Sequence, residues 1–501
     1  MLSESANAGF PFLSVLIFSP LAALAVLALL PTERLQRWWA LVFTTAAGLF
    51  SLALYPRFNS GTHLFQFVEH HAWIPALKIN YTIGVDGISL LLVWLTTLIT
   101  PLCVLASWTY IKTRVKEFLI ALLLMETTMV GVFSALDSIL FFAFWESMLI
   151  PMALMIGIWG GPRRVYASLK FFVYTMAGSV FLLVALIALR LQTGTFSIPE
   201  TMGHPFSAGF QAWVFGAFFI SFAIKVPMFP FHTWLPAAHV EAPTAGSVLL
   251  ASVLLKMGAY GFLRFALPMT PLAVHTFAPA IMWLSVAAII YGGFAALAQT
   301  DMKKLVAYSS VSHMGFATLG IFAMNAAGVE GATLVLLNHG ITTGGLFMVV
   351  GLIYERLHTR DLAAAAGIGR HMPVFAVCYG VFCLSSLAFP GTNSFVGEFL
   401  VMAGGFKISK LMLVVAIPGI VAAAAYNLRM LQKLAYGGTH NPPHPGLTDL
   451  NFREVVMFVP LVAFVFWIGL QPAPFVRIMH ASVMHLVEQA SAIAPQLASL
   501  P

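Results

Sequence analysis

The sequence predicts an all-α polytopic membrane protein with about fourteen transmembrane helices, arranged as two inverted five-helix repeats that each contain one discontinuous helix. Three observations carry this. Of the 501 residues, 60% are hydrophobic and 9% charged, with a mean hydropathy of +0.91; soluble domains carry about 25% charged residues. Apolar segments of about 20 residues, long enough to span a bilayer, recur from end to end with short connections. No separate soluble domain fits between them, so residues 1–501 read as a single membrane domain. Finally, two segments are interrupted by proline or glycine, and each has an ionisable residue near its break.

The first two segments fall near 12–30 and 36–55, followed by a polar connection with Glu69, His70 and His71. The third begins after Asp86, and a basic KTRVKE loop follows it. Segments near 115–134, 136–158 and 166–190 come next. The seventh, 210–235, contains Lys225 and is interrupted at Pro227 and Pro230; the eighth, 245–267, contains Lys256. The ninth to eleventh lie near 276–298, 303–325 and 329–355. The twelfth, 372–406, is interrupted by FPGTNS and carries Glu398, and the last two lie near 410–435 and 453–470. A further stretch, 474–494, holds Arg477, His480, His485 and Glu488, which reads as a C-terminal interfacial helix within 474–501 rather than a span.

Broken helices seven and twelve occupy matching places in two blocks, 115–267 and 276–435. An odd number of spans per block inverts the second copy, and paired broken helices in inverted repeats point to a transport site near the midplane. Loops after odd-numbered segments carry sixteen Lys and Arg, against seven on the opposite side. By the positive-inside rule this puts both termini outside. The net charge of +7 is therefore read as an orientation signal rather than a nucleic-acid surface.

Cys103, Cys378 and Cys383 all lie in apolar segments, and their spacing fits no zinc or iron–sulfur pattern. No Walker-type or dinucleotide loop appears, so neither a metal nor a cofactor is expected in this chain. Glu4 ahead of the first segment, without a basic stretch, argues against a cleavable signal.

Candidate functional residues are the ionisable ones at membrane depth, since charge there is costly and usually serves function. Glu146 lies about ten residues from either end of its segment, roughly 15 Å deep. It is either a structural ion-pair partner or a carboxylate that pairs with Lys225 and tunes its proton affinity. Lys256 is either a structural donor or a central relay, and Glu398 either bonds the open backbone of its break or exchanges protons there. His232 and His239 flank the first break, and His313 and His339 lie within helices ten and eleven. Each is open to proton shuttling or to plain packing. His63, His70, His71, His440 and His444 fall in polar connections and read as solvated surface. Glu126 leaves its depth and partner open, and Asp86, Asp137, Glu241 and Asp301 lie near helix ends, where capping competes with function.

The segments GVDGISLL, GVFSALDSILFFAFWESMLIPM, KFFVYTMAGS, KVPMFPFHTWLPAAHVEAPTAGSVLLASVLLKMGAYG and QTDMKKLVAYSSVSHMGF give this chain a strong resemblance, over about 80–470, to one family. It resembles the subunit M (chain 4) family of proton-pumping NADH:quinone oxidoreductase, respiratory complex I, whose fold is antiporter-like. Glu398, where the sister L and N families usually have lysine, favours the M type. So does the stretch of 31 residues after position 470, at most about 47 Å as a helix and too short for the lateral arm of subunit L. The resemblance implies Glu146 and Lys225 as an input pair, Lys256 as central relay, Glu398 as output residue, and His232, His239, His313 and His339 along the path. It further implies flavin, Fe–S clusters and quinone in partner subunits, L-like and N-like neighbours, and a bacterial inner membrane ahead of a mitochondrial one. The alternatives are a subunit of a multisubunit Na⁺(K⁺)/H⁺ antiporter, a subunit of a related membrane-bound hydrogenase or plastoquinone-reducing complex, and a passive structural spacer.

Overall fold

The computed structural model describes residues 9–437 and 447–491; His440 and His444 lie outside them. The chain starts with α1 (Phe12–Leu29) and α2 (Glu33–Leu52), then a hairpin of β1 (Gln66–Ile74) and β2 (Ile79–Val85). There follow α3 (Gly87–Ser107), α4 (Val115–Ser134), α5 (Ser138–Ser147), α6 (Leu149–Trp159), α7 (Arg164–Thr193) and the single turn α8 (Ile198–Thr201). The seventh span is α9 (Ala208–Lys225) and, beyond a break, α10 (Trp234–Glu241). The eighth comprises α11 (Thr244–Leu249), α12 (Leu255–Gly261) and α13 (Leu267–Met269), joined by π-helical turns at Leu250–Leu254 and Phe262–Ala266. Next come α14 (Pro271–Leu297), α15 (Met302–Phe322) and α16 (Ala326–Leu357). The broken twelfth span is α17 (Pro373–Ser386) plus α18 (Asn393–Ile408), followed by α19 (Lys410–Leu431), α20 (Phe452–Leu470) and α21 (Ala473–Ser491).

Among the described residues thirteen helices are long and apolar enough to cross a bilayer, and the broken α17–α18 segment makes the fourteenth. Short polar residues start many of them. Asp86 caps α3 through the Ile88 and Ser89 amides, Asp137 caps α5, Asp301 caps α15, and Asn451 forms a reciprocal box with Glu454 at α20. The eighth and eleventh spans are buried along their whole apolar windows. By contrast α7 exposes Val165, Leu169, Val173, Val180, Val184, Ile187 and Leu191, a stripe suited to lipid tails. A bilayer demands that backbone polar groups be satisfied within the helices, and it leaves apolar side chains on the outside.

The polar connection expected at 56–86 is instead an antiparallel hairpin, turning at Lys78 with φ +55°. It has a job at the start of α1. Glu69, 7% exposed, accepts hydrogen bonds from the Leu13 amide (2.8 Å), the Ser14 amide (3.2 Å) and the Ser14 hydroxyl, where free N–H groups and the helix dipole favour an anion.

Both broken spans have their backbone satisfied by side chains. At the first, the Trp234 indole donates across the gap to Ile224 O at 2.8 Å. Pro227 and Pro230, which lack an N–H and cannot continue a helix, lie within it. At the second, Gly391 takes φ +93°, Asn338 Nδ2 donates to Asn393 O (2.7 Å), and Ser385 Oγ donates to Asn393 Oδ1 (2.6 Å).

The two halves meet where the eighth span crosses α16. Ser252 Oγ donates to Gly340 O at 2.7 Å, and a Cβ on Gly340 would stand 2.8 Å from Ser252 O. Only glycine permits that approach. Gly340→Leu is therefore expected to force the seam apart and cost about 1–3 kcal/mol. The readout is the thermal unfolding midpoint of the detergent-solubilised protein, and an unchanged midpoint would contradict the backbone contact.

Candidate functional site: a buried polar axis

Lys225 ends α9 at the first break and is 2% exposed. Its ammonium sits 4.9 Å from the Trp145 ring centroid and 3.8 Å from Met148 Sδ, so cation–π attraction takes the place of a counter-ion. The expected direct pair with Glu146 is not formed. Neighbouring positions on a helix point about 100° apart, and it is the fully buried Trp145 that faces Lys225. Glu146 is left half-buried on the flank, one Oε1 without a protein partner among the described residues. The span is also interrupted immediately after it, between Ser147 and Leu149.

Lys256 is wholly buried in α12. Its Nζ lies 2.6 Å from His339 Nδ1 and donates to Ala251 O, a carbonyl in the preceding π-helical turn. Such turns widen the helix and recur at functional sites. No carboxylate pairs with Lys256 among the described residues, so its charge is shared with an imidazole. α12 packs closely on the end of α9, because Gly258 has no side chain: a Cβ there would stand 2.9 Å from Phe222 O and from Val226 N.

From His339 on α16 the axis passes to His313 on α15, ring centroids 5.8 Å apart. His313 Nδ1 is 2.8 Å from Glu398 Oε1 on α18, and its Nε2 lies 3.4 Å from both Ser386 Oγ and Tyr426 OH. A cavity of ≈ 10 Å³, about one water, lies among Glu398, His313, His339, Asn338, Thr342 and Ser394. Lys256, His339, His313 and Glu398 thus form one connected line across the seam between the halves.

The other two histidines are set apart. His232, within the first break, packs edge-on against Tyr291 at 4.9 Å, and its Nδ1 has no protein partner among the described residues. His239 on α10 stacks on Phe347 at 4.5 Å and 8°, with neither ring nitrogen bonded to a described residue. Buried nitrogens of this kind are met by water.

Sequence reasoning missed some members. Lys303, counted as a loop charge, is 5% exposed, and its Nζ donates to Ala242 O at 2.6 Å. Arg264, which the charge tally counts on the less basic side, is buried on Asp86 at 2.7 Å. Glu126 is 1% exposed with neither carboxylate oxygen bonded to a described residue. Capping accounts for Asp137 and Asp301, the latter also 3.4 Å from Arg360, while Glu241 accepts from the Arg163 amide at 2.9 Å.

Two membrane helices, each broken once, around a line of buried lysine, histidine and glutamate define the antiporter-like class of ion-translocating subunits. Residues 135–423 match the family model described as NADH:quinone oxidoreductase/Mrp antiporter, and residues 15–132 match NADH-ubiquinone oxidoreductase chain 4, amino terminus. The chain is 46% identical to NADH-quinone oxidoreductase subunit M of Rhodobacter capsulatus, over 95% of this chain and 96% of that protein. It is 44% identical to NADH-ubiquinone oxidoreductase chain 4 of Chondrus crispus, over 94% and 96%. A chain of respiratory complex I from Thermus thermophilus superposes with a TM-score of 0.87 at 30% identity, covering 95% of this chain and 99% of that one. A chain of the Mrp complex from a Dietzia species, at 21% identity, TM-score 0.82, and coverage of 95% and 52%, shares the fold alone.

The chain belongs to the family of NADH-quinone oxidoreductase subunit M, equivalent to NADH-ubiquinone oxidoreductase chain 4. It is a multi-pass, proton-translocating membrane subunit of respiratory complex I. The multisubunit-antiporter and hydrogenase readings are not favoured.

Glu398→Ala removes the partner of His313 Nδ1 and is expected to cost about 1–3 kcal/mol, with Glu398→Gln costing less because its amide oxygen can still accept. Unfolding midpoints of the three proteins test this, and identical values would argue against the His313–Glu398 contact.

Proposed function

We propose that protons cross this subunit along the axis, with Glu146 and Lys225 as input, Lys256 and His339 as the central relay, and His313 with Glu398 as output. The observation that carries this reading is the Lys256–His339 contact at 2.6 Å. It joins the eighth span of the first half to α16 of the second without a counter-ion to trap the proton. An ammonium held against a neutral imidazole can pass a proton with little change in position, whereas a lysine locked to a carboxylate could not. His232 and His239 border this route and connect to it through water.

In this reading Glu146 is a movable charge. Half-buried on the flank, it acts on Lys225 from beyond Trp145. Drawn closer it favours the protonated lysine, and drawn away it favours release along the axis. The flank on which Glu146 is partly exposed suits contact with an adjoining subunit, and we assign L-like and N-like antiporter-type subunits as neighbours. Flavin, Fe–S clusters and quinone belong to partner subunits, so this chain is a non-redox part of the enzyme. The blocks 115–267 and 276–435 act as the two inverted repeats.

The charge asymmetry of the loops supports both termini on the periplasmic side of a bacterial inner membrane. Removing Lys303 and Arg264, now seen to be buried, takes one charge from each side and leaves the bias unchanged.

Two measurements test the proposal. Purification of the tagged chain should bring flavin and Fe–S subunits with NADH:quinone reductase activity; recovery of small membrane partners alone would count against complex I membership in the cell. Glu146→Gln should assemble yet lose most NADH-driven acidification of inverted vesicles. Normal pumping by that variant would remove Glu146 from the input role.

A further inference from the structure

Trp145 is buried against the input lysine, 1% exposed, and more than packing holds it there. On α9, Phe222 and Lys225 stand three residues apart and so share a face. That face meets the indole. The Phe222 ring packs edge-on against it at 5.9 Å and 68°, and the Lys225 ammonium lies 4.9 Å from its centroid. The other contact of that ammonium is Met148 Sδ at 3.8 Å. Among the described residues no oxygen accepts a hydrogen bond from Lys225, so the ring is its main electrostatic partner.

The indole is fixed from its other edge. Its Nε1–H donates to Ser179 Oγ on α7 at 3.0 Å, and the Ser179 hydroxyl donates in turn to Thr175 O at 3.1 Å. A hydroxyl whose hydrogen is committed to a carbonyl one turn back keeps its lone pairs for the indole. A buried indole needs such a partner, and the bond to α7 sets the tilt of the ring towards Lys225. Phe141, at 5.5 Å, packs beside it along α5. Any large apolar side chain would satisfy packing alone. Packing accounts neither for an ammonium laid on the ring in place of an acid nor for the bond that orients the ring.

We propose that Trp145 is a positioning residue of the proton input, whose ring, tethered by Ser179, holds the Lys225 ammonium while Glu146 stands off and yields it when the carboxylate turns in. The inference deepens the pumping function and rests on Glu146 and Lys225 as the input pair. Glu146 follows Trp145 directly near the end of α5, and neighbouring positions on a helix point about 100° apart. The ring and the carboxylate therefore cannot both face the ammonium, and a turn of α5 exchanges one for the other. Tryptophan is the strongest of the aromatic rings for a cation. An indole is also no base, so it stabilises the ammonium without competing for its proton. Lys225 stays loaded between visits of the acid.

The test uses the whole complex, with mono-, di- and trifluorotryptophan incorporated at position 145. Fluorine withdraws electron density from the π-face and leaves the size of the ring and its N–H in place. NADH-driven acidification of inverted vesicles should fall step by step along the series, to about tenfold below wild type where the cation–π attraction is lost, at an unchanged level of assembled complex. A tryptophan that only packs predicts equal pumping throughout, and that result would overturn the proposal. Ser179→Ala, which keeps the ring but frees its tilt, should lower pumping, and Ser179→Thr, which keeps the hydroxyl, should recover it. Wild-type pumping by Ser179→Ala would overturn the tether. Lys225→Met separates this inference from the reading beneath it. If that variant loses pumping while the fluorinated series stays level, the input lysine stands and the role of Trp145 falls. If it pumps normally, the input reading falls and takes the proposal with it.

Discussion

Charge inside a low-dielectric interior must be shared, and the rest of this structure depends on how Lys256 shares its own. An unpaired ammonium at membrane depth costs several kcal/mol. Here the cost is offset by the His339 imidazole and by the Ala251 carbonyl that a π-helical turn supplies. That solution demands a backbone seam close enough for a lysine on one half to touch a histidine on the other. The small residues Gly258 and Gly340 provide it. The packing of the seam and the pairing of its buried lysine are therefore set by the same few contacts.

The two broken spans serve that arrangement in different ways. The first ends at Lys225, over the Trp145 ring, with no acid in contact. The second places Glu398 against His313; at the break the Asn338 amide donates to Asn393 O, and Ser385 Oγ holds the Asn393 side chain. The lysine is thus held by an aromatic ring and a thioether, and the glutamate by an imidazole. The same principle recurs at the opposite end of the eighth span, where Arg264 and Asp86 are buried together beneath α21.

Much of this was legible from residue types. Lys225, Lys256, His313, His339 and Glu398 stood out because each is polar within an apolar run, and all five are buried in the structure. Less legible were groups whose burial depends on neighbours remote in sequence. Lys303 and Arg264 sit at helix ends, where a basic residue normally reaches water; only the approach of Ala242 and of Asp86 encloses them. The β1–β2 hairpin escaped notice because its polar residues, Glu69 among them, look like a solvated loop until the first turn of α1 is seen to need an acceptor.

The sequence by itself determined that this is a membrane protein, the number and limits of its spans, which two are broken, and which ionisable residues lie at depth. Those properties follow from local hydropathy and from proline and glycine, which act on the chain where they stand. Tertiary structure alone decided the pairings: Lys256 with His339 rather than with an acid, Lys225 over Trp145 rather than against Glu146, His313 with Glu398, and α21 folded over Asp86 and Arg264. Helix rotation and close backbone approach set these contacts, and a change of one residue in helical phase turns a side chain by about 100°, from a partner to lipid.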